Sequence, residues 1–358
     1  MVTPRELSLV ASIPTQESRK TPPSRFHGCI LSGSAFAFGS APELFWGATM
    51  SQIQLGERYV DLGVKAIDQD DLKKALRHLN RALTLNPESY LAYYNRGVAY
   101  DLLGRLEDAL ADYERALEVQ PNHLASLHNR AVILRELGQP EAAIKGFNEV
   151  LRFEPDGSDV LYNRGAAFAD LKRWPEAVSD FDRAIAEAPD KIDARVAKGN
   201  AFLELSKIDE AIAVADDMIA MESGAVEGHV LKGLAHFDAG KEELAIGEFT
   251  EALETTPDDH GALLQRGIVF LQLGRNETAI EDLKYALKNH PDCDEAFYHL
   301  AIAYAQLGQP DAAIDALQTA IDIDPPRRAE AQKAAEFATL RAEPRFKAVV
   351  AGKRGRRS

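Results

Sequence analysis

The chain has 358 residues, and 46% of them are hydrophobic, which is enough to build a continuous core. It carries 41 Lys and Arg against 56 Asp and Glu, a formal net charge of −15 that disfavours nucleic acid and anionic membranes as partners. The sequence lacks a run of about 18 apolar residues, so we predict no transmembrane helix and no membrane insertion.

The first 50 residues are rich in Ser, Pro, Thr and Gly and lack helical periodicity, so we predict that residues 1–50 are largely disordered. Three alternatives explain this extension: translation that begins at Met50, a loose tail, or a targeting segment. For a targeting segment, basic residues precede a weakly apolar stretch from Cys29 to Phe38. A targeting segment would export the protein, whereas the other two alternatives leave it in the cytoplasm, which we favour.

After the extension, proline recurs at a fixed interval of 34 residues, with one double interval centred on Ser223. A period of this size is typical of repeat architectures. The prolines are Pro87, Pro121, Pro155, Pro189, Pro257, Pro291 and Pro325. We therefore divide residues 51–326 into eight repeats that begin at Gly56: 56–89, 90–123, 124–157, 158–191, 192–225, 226–259, 260–293 and 294–327.

Each repeat has the same pattern of small and large side chains. Position 8 is Gly or Ala and position 20 is Ala in all eight repeats, while positions 4, 11 and 24 are mostly large. Apolar residues recur at helical spacing in two runs, which a turn at position 15 separates and the proline at position 32 ends. Each repeat is therefore predicted to be a helix A, a tight turn and a helix B, with small residues allowing close contact between the helices.

This pattern resembles the tetratricopeptide repeat, and the resemblance extends from Gly56 to Pro325. It implies an all-α fold, an α-solenoid that winds as a right-handed superhelix, with helix A of each repeat on the concave face. It also implies a non-catalytic scaffold that holds an extended peptide or a partner helix in the concave groove. The runner-up function is an envelope-associated or exported assembly or secretion factor with an N-terminal targeting segment.

Candidate binding residues lie in neighbouring positions of helix A. Position 6 holds Asn95, Asn129 and Asn163, and position 5 holds Tyr94, His128 and Tyr162. An Asn amide can both donate and accept hydrogen bonds, so a row of them can pair with the backbone of an extended peptide. The row resembles the asparagine ladder with which some members of the family hold peptides, although it stops at Ala197. The alternatives are that the Asn side chains bond only to local backbone and that the aromatic rings pack on one another.

A basic residue at position 7 accompanies an acidic residue at position 23 in four repeats, which predicts ion pairs between helices. The pairs are Arg96 with Asp112, Arg164 with Asp180, Lys232 with Glu248 and Arg266 with Asp282. Arg130 and Lys198 lack that acidic residue, so we predict that they contact a ligand together with Asn200. Asn200 lies at position 9, but Val196 at position 5 does not fit the carboxylate clamp of chaperone-binding members.

The fifth repeat departs most from the pattern. It lacks the proline, and Ala215 and Met218 replace the usual residues at positions 24 and 27. Loose packing that lets the stack flex and simple sequence drift both explain these departures.

At the C-terminal end, we predict capping helices over residues 328–350 and a basic tail over residues 351–358. The first, Arg328–Leu340, would continue the repeat register, and Pro344 would begin the second. Phe346, Val349 and Val350 would then cover the last apolar face, as the end of a solenoid requires.

The sequence carries no pattern typical of a catalytic or metal site. A Gly-rich phosphate loop, a His-Glu-x-x-His motif and a nucleophile elbow are all missing, and Cys29 and Cys293 have no paired spacing. We predict that the protein is not an enzyme and that it uses no metal or other cofactor. Its acidic body favours a neutral or basic protein or peptide as the partner.

Overall fold

The computed structural model describes residues 43–352, without the side chains of residues 43–51 and 222. The predictions of disorder or targeting for residues 1–42 and of a basic tail at residues 353–358 lie outside the described residues. Within residues 43–352 all regular structure is helical, which confirms the predicted all-α fold. No helix in this range is both long and apolar enough to cross a membrane.

The helices alternate between helix A and helix B of successive repeats as far as α16, and the last two follow the repeats. They are α1 (Glu43–Asp68), α2 (Leu72–Leu85), α3 (Tyr90–Leu102), α4 (Leu106–Val119), α5 (Leu124–Glu136), α6 (Pro140–Leu151), α7 (Ser158–Asp170), α8 (Trp174–Glu187), α9 (Ile192–Glu204), α10 (Ile208–Ile219), α11 (Ala225–Asp238), α12 (Glu242–Thr255), α13 (His260–Gln272), α14 (Asn276–Asn289), α15 (Asp294–Gln306), α16 (Pro310–Ile323), α17 (Arg327–Lys333) and α18 (Pro344–Val350).

Helix A begins at or next to the predicted first residue in each repeat from the second to the eighth. The first repeat differs, because α1 begins at Glu43 and the predicted disorder is therefore wrong for residues 43–50. Pro42 is the last proline before the repeats, and the residues that follow it contain no further proline to interrupt a helix.

The turn between helix A and helix B has one backbone geometry in all repeats. Five repeats place Gly at position 15 with φ between 68° and 72°, as at Gly104 and Gly138. The other three place Asp70, Lys172 and Ser206 there with φ between 56° and 58°. This left-handed conformation favours glycine, so the three substituted turns keep their geometry at some cost in stability.

Close packing within a repeat depends on the small residue at position 8. A Cβ atom added to Gly97 would lie 2.8 Å from the Tyr113 ring, and one added to Gly165 would lie 2.7 Å from the Phe181 ring. The alanine at position 20 is fully buried in all eight repeats. These contacts confirm the prediction that small side chains let helices A and B approach closely.

The described chain forms two compact halves, residues 43–194 and residues 195–352. In the N-terminal half, consecutive helices from α1 to α8 pack against each other in pairs. In the C-terminal half, the same pairing continues from α10 to α16, and a large apolar cluster extends to the end of the chain.

The fifth repeat does not show the predicted loose packing. Ala215 and Met218 are both fully buried. The space that a large residue at position 24 would occupy is filled by Leu231 from the next repeat, whose side chain packs directly on Gly199. A short 3₁₀ helix, Glu222–Gly224, stands where the other repeats have the proline turn.

The C-terminal cap differs from the prediction in its first part. The predicted helix Arg328–Leu340 is wrong, because α17 ends at Lys333 and the backbone leaves the helix at Ala334, where ψ is 129°. A 3₁₀ helix, Ala335–Leu340, follows and turns Phe337 and Leu340 into the core. The second part is confirmed: Pro344 begins α18, and Phe346 and Val349 are buried.

Candidate partner-binding face

The Asn row at position 6 serves mainly the interior of the protein. The Asn95 side chain is half-buried, and its Nδ2 donates to the backbone oxygen of Leu91 at 2.7 Å. Asn129 and Asn163 are only 3% and 1% exposed. The predicted ladder therefore requires correction at these two residues, because their side chains are not accessible to a peptide.

The buried Asn side chains instead tie one repeat to the next. Asn129 Nδ2 donates to the Tyr113 hydroxyl at 3.4 Å, which joins the third repeat to the second. Asn163 Nδ2 lies 3.4 Å from His128 Nε2, which joins the fourth repeat to the third. Since position 6 faces the preceding repeat, a polar side chain there finds a partner inside the stack.

The rings at position 5 pack against the ring at position 24 of their own repeat. Ring centroids lie 6.1 Å apart for Tyr94 and Tyr113, 5.7 Å for His128 and Phe147, and 6.0 Å for Tyr162 and Phe181. His128 and Tyr162 are buried, whereas Tyr94 is half-buried. The predicted contact with a bound peptide is therefore corrected for His128 and Tyr162, whose rings pack inside the repeats.

Burial also fixes the charge state of these rings. It lowers the pKa of His128 to about 4, with a smaller opposing effect from the Asp159 carboxylate. It raises the pKa of Tyr162 to about 12. Both groups are neutral at pH 7, and the Nε2 atom of a neutral His128 can accept a hydrogen bond from the Asn163 amide.

The accessible part of the predicted rows lies on α3. Leu91, Tyr94, Asn95 and Val98 are half-buried and share one face of this helix, because they are three or four residues apart. We call these four residues the α3 face. At one edge of it, the Tyr94 ring meets His123 edge-on with a centroid distance of 5.0 Å.

The predicted ion pairs between positions 7 and 23 are confirmed. Three arginines bind their aspartates through two nitrogens, at 2.7 and 2.8 Å for Arg96 with Asp112, 2.7 and 2.6 Å for Arg164 with Asp180, and 2.7 and 2.9 Å for Arg266 with Asp282. Lys232 lies 3.3 Å from Glu248.

These cations have a further partner that the sequence patterns did not predict. Each one also contacts position 25 of the preceding repeat, so that it joins three helices. The position-25 partners are Asn80 for Arg96, Asn148 for Arg164, Asp216 for Lys232 and Thr250 for Arg266. The signal was present in the sequence, since an oxygen-bearing side chain at position 25 precedes each of these cations.

Arg130 differs from the prediction because it has an acidic partner at another position. Its Nη2 lies 3.1 Å from Glu149 Oε2 at position 26, three residues beyond position 23, which supplies the acid in the other pairs. Gly146 replaces the usual acid because Ala131 occupies the space beside it, and a Cβ on Gly146 would lie 2.8 Å from the Cβ of Ala131. Arg130 is therefore part of the stack and a poorer candidate for ligand contact.

The last two predicted site residues belong to the C-terminal half. Lys198 and Asn200 are half-buried. The Lys198 ammonium lies 5.6 Å from the centre of the Phe202 ring, a cation–π distance. The structure thus brings together Tyr94 and Asn95 on the α3 face, and it assigns Lys198 a structural contact.

Sequence models of the tetratricopeptide repeat match most of the helical region. One model matches residues 128–192, 196–260 and 264–328, which together are more than half of the chain. Two other models of this repeat match residues 90–123 and 66–104. An uncharacterised protein of Methanocaldococcus jannaschii is 38% identical over 56 residues, or 16% of this chain and 65% of that protein. The matched segment thus spans slightly less than two thirds of that relative.

Solved structures show the same fold. A tetratricopeptide repeat protein from Parabacteroides merdae aligns with a TM-score of 0.61 and 23% identity, over 70% of this chain and 99% of that one. Yeast Tom70 aligns with a TM-score of 0.63 and 19% identity, over 88% of this chain and 69% of that one. At these identities the likeness establishes the fold of paired, repeated helices.

Proposed function

The chain belongs to the tetratricopeptide repeat family, whose repeats are protein-interaction scaffolds, and we propose that it holds an extended segment or a helix of a partner protein against the α3 face. The observation that supports this proposal is the accessibility of the α3 face. Among the predicted site residues in the N-terminal half, this face contains those whose side chains are both accessible and grouped on one helix.

The chemistry of the α3 face suits a mixed contact. Leu91, Tyr94 and Val98 offer apolar surface to partner side chains, and Tyr94 adds an aromatic ring that combines large area with few rotatable bonds. Asn95 already donates one hydrogen bond to Leu91. Its amide retains an acceptor oxygen that a partner backbone N–H can use. Affinity would then come mainly from apolar contact, with the amide helping to fix the register.

The charge of the chain narrows the class of partner. A formal net charge of −15 repels acidic segments and accelerates the approach of basic ones. We therefore propose a neutral or basic partner segment, whose association should weaken as salt increases.

A site-specific photo-crosslinker tests the location of the contact. A photoreactive phenylalanine analogue replaces Leu91 or Val98 in one set of proteins and Leu244, an exposed leucine on α12, in the control. We expect partner crosslinks from the α3 face and not from position 244. Crosslinks of equal yield from position 244, in variants that melt at the wild-type temperature, would contradict the proposal.

A further inference from the structure

The two ends of the described stack differ in how far their apolar residues are buried. At the C-terminal end, Phe337, Phe346 and Val349 cover the last repeat and are themselves buried. At the N-terminal end, Leu55 and Leu62 of α1 remain 42% and 38% exposed. Repeat proteins need a polar outer face or a cap at both ends, so an apolar face on the first helix indicates that another helix covers it.

The register of the repeats identifies which face of α1 this is. Leu62 occupies position 7, where four later repeats carry a cation that reaches back to the preceding helix B, as Arg96 does to Asn80. In the first repeat this position is a leucine. In later repeats this face of helix A contacts the preceding helix B. On α1 the same face carries an apolar residue at position 7.

The spacing of residues on α1 fits the pairing of two helices. Gln52, Leu55, Tyr59 and Leu62 alternate in steps of three and four, and Tyr59 also contacts His78 of α2 at a ring-centroid distance of 5.9 Å. A period of 3.5 residues is the pattern of a coiled-coil seam, in which the residues of one helix insert between those of another. We call this row the α1 seam.

The exposed residues that flank the α1 seam carry both signs of charge. Arg58 and Lys65 lie on one side of it, and Asp61 is on the adjoining surface. A face that carries basic and acidic residues together is complementary to a copy of itself, since each sign can find the other across a two-fold axis.

The length of α1 supports the same conclusion. Gly56 lies opposite Leu85 and Asn86, where α2 ends. The 13 residues from Glu43 to Leu55 therefore continue past the end of α2, a length of about 20 Å at 1.5 Å per residue. Because helices in proteins gain most of their stability from tertiary packing, a partner helix on this extension would stabilise it.

We propose that the α1 seam is the interface between two copies of this chain, which cap each other at the N-terminal end of the repeats. The occupant is a second α1, because the seam has the period that pairs helices and its flanking charges complement themselves. The α1 seam and the α3 face lie on different helices, so we expect a dimer to bind a partner through each copy.

The direct test is the oligomeric state of the full chain by sedimentation equilibrium. We expect a dimer, and we expect Leu55→Glu with Leu62→Glu to raise the dissociation constant by more than about tenfold, because two acidic groups would enter an apolar seam. The matched control is Leu244→Glu, which introduces the same change at a leucine that is 53% exposed on α12. The control should leave the dimer unchanged. A monomeric wild-type chain, or a double variant that dimerises as the wild type does, would overturn the proposal.

A second measurement needs no variant and therefore does not depend on the double variant being folded. Hydrogen exchange of the wild-type chain is followed in residues 43–55 at protein concentrations below and above the dissociation constant of the dimer. We expect slower exchange at high concentration, while α8 exchanges at the same rate in both samples. Exchange of residues 43–55 at the same rate in both samples would also overturn the proposal.

Discussion

Replacing Asp180 by Asn tests the energetic role of the ion pairs that join the helices. Arg164 binds both oxygens of Asp180, and the two side chains are only 16% and 5% exposed. Removing one partner of a buried pair costs about 3–5 kcal/mol, and an exposed pair contributes about 0–1 kcal/mol. Because Asn keeps one acceptor and Arg164 keeps its bond to Asn148, we expect a loss of about 2–3 kcal/mol in the free energy of unfolding.

The assay is urea denaturation followed by circular dichroism, together with hydrogen exchange of α7 and α8. The matched control is Glu176→Gln, since Glu176 pairs with Arg173 on the surface and both are about half exposed. We expect the control to leave the free energy of unfolding nearly unchanged, because solvent screens an exposed pair. Equal losses in the two variants would refute the conclusion that the buried pairs stabilise the contact between helices.

Two further predictions follow from the turns and from the buried histidine. Lys172→Gly should raise the free energy of unfolding by about 1 kcal/mol, because Lys172 has a φ of 56°, which favours glycine. Gly104→Ala should lower it by a similar amount, because Gly104 has a φ of 71°. Thermal melts of both variants check these two changes. His128 has a folded-state pKa of about 4 against an ordinary 6.5, so the unfolded state takes up the proton first and stability falls as pH drops from 6.5 towards 4, by about 3 kcal/mol in all. Urea titrations of the wild type and His128→Gln across this range should differ by that pH-dependent loss, and parallel curves would contradict the assignment.

The repeat itself could be predicted from the sequence because it depends on local rules. Helical periodicity, a breaker and small residues at fixed positions act within one repeat, so the sequence predicted where α3, α5 and α7 begin. The ion pair of Arg164 with Asp180 was predictable for the same reason, since the two residues appear and disappear together along the chain.

The candidate site was harder to predict because it depends on how neighbouring repeats meet. Whether a side chain at position 6 is accessible depends on the side chains that the preceding repeat places against it, and the pattern within one repeat does not record this. Asn95 remained half-buried while Asn163 became buried against His128, although both are Asn at the same position. In the third repeat Gly146 stands at position 23, where other repeats have an acid, because Ala131 occupies the space beside it. Arg130 therefore pairs with Glu149 instead.

A contact in which one repeat supplies a side chain to the core of its neighbour also cannot be predicted by comparing repeats position by position. Ala215 indicated a gap in the fifth repeat, yet Leu231 of the sixth repeat fills it, because a core closes with whichever large side chain can reach the space. Ala334 interrupts the predicted capping helix for a comparable reason, since an extended residue there lets Phe337 reach the core.

The most direct measurement compares two glycine-to-alanine substitutions inside helices. A Cβ on Gly165 would lie 2.7 Å from the Phe181 ring, whereas a Cβ on Gly247 would have no neighbour within 4 Å among the described residues. If small side chains are what let paired helices approach, urea denaturation should show Gly165→Ala losing about 1–3 kcal/mol and Gly247→Ala gaining about 0.5–1 kcal/mol from helix propensity. A gain in stability for Gly165→Ala equal to that for Gly247→Ala would contradict the account.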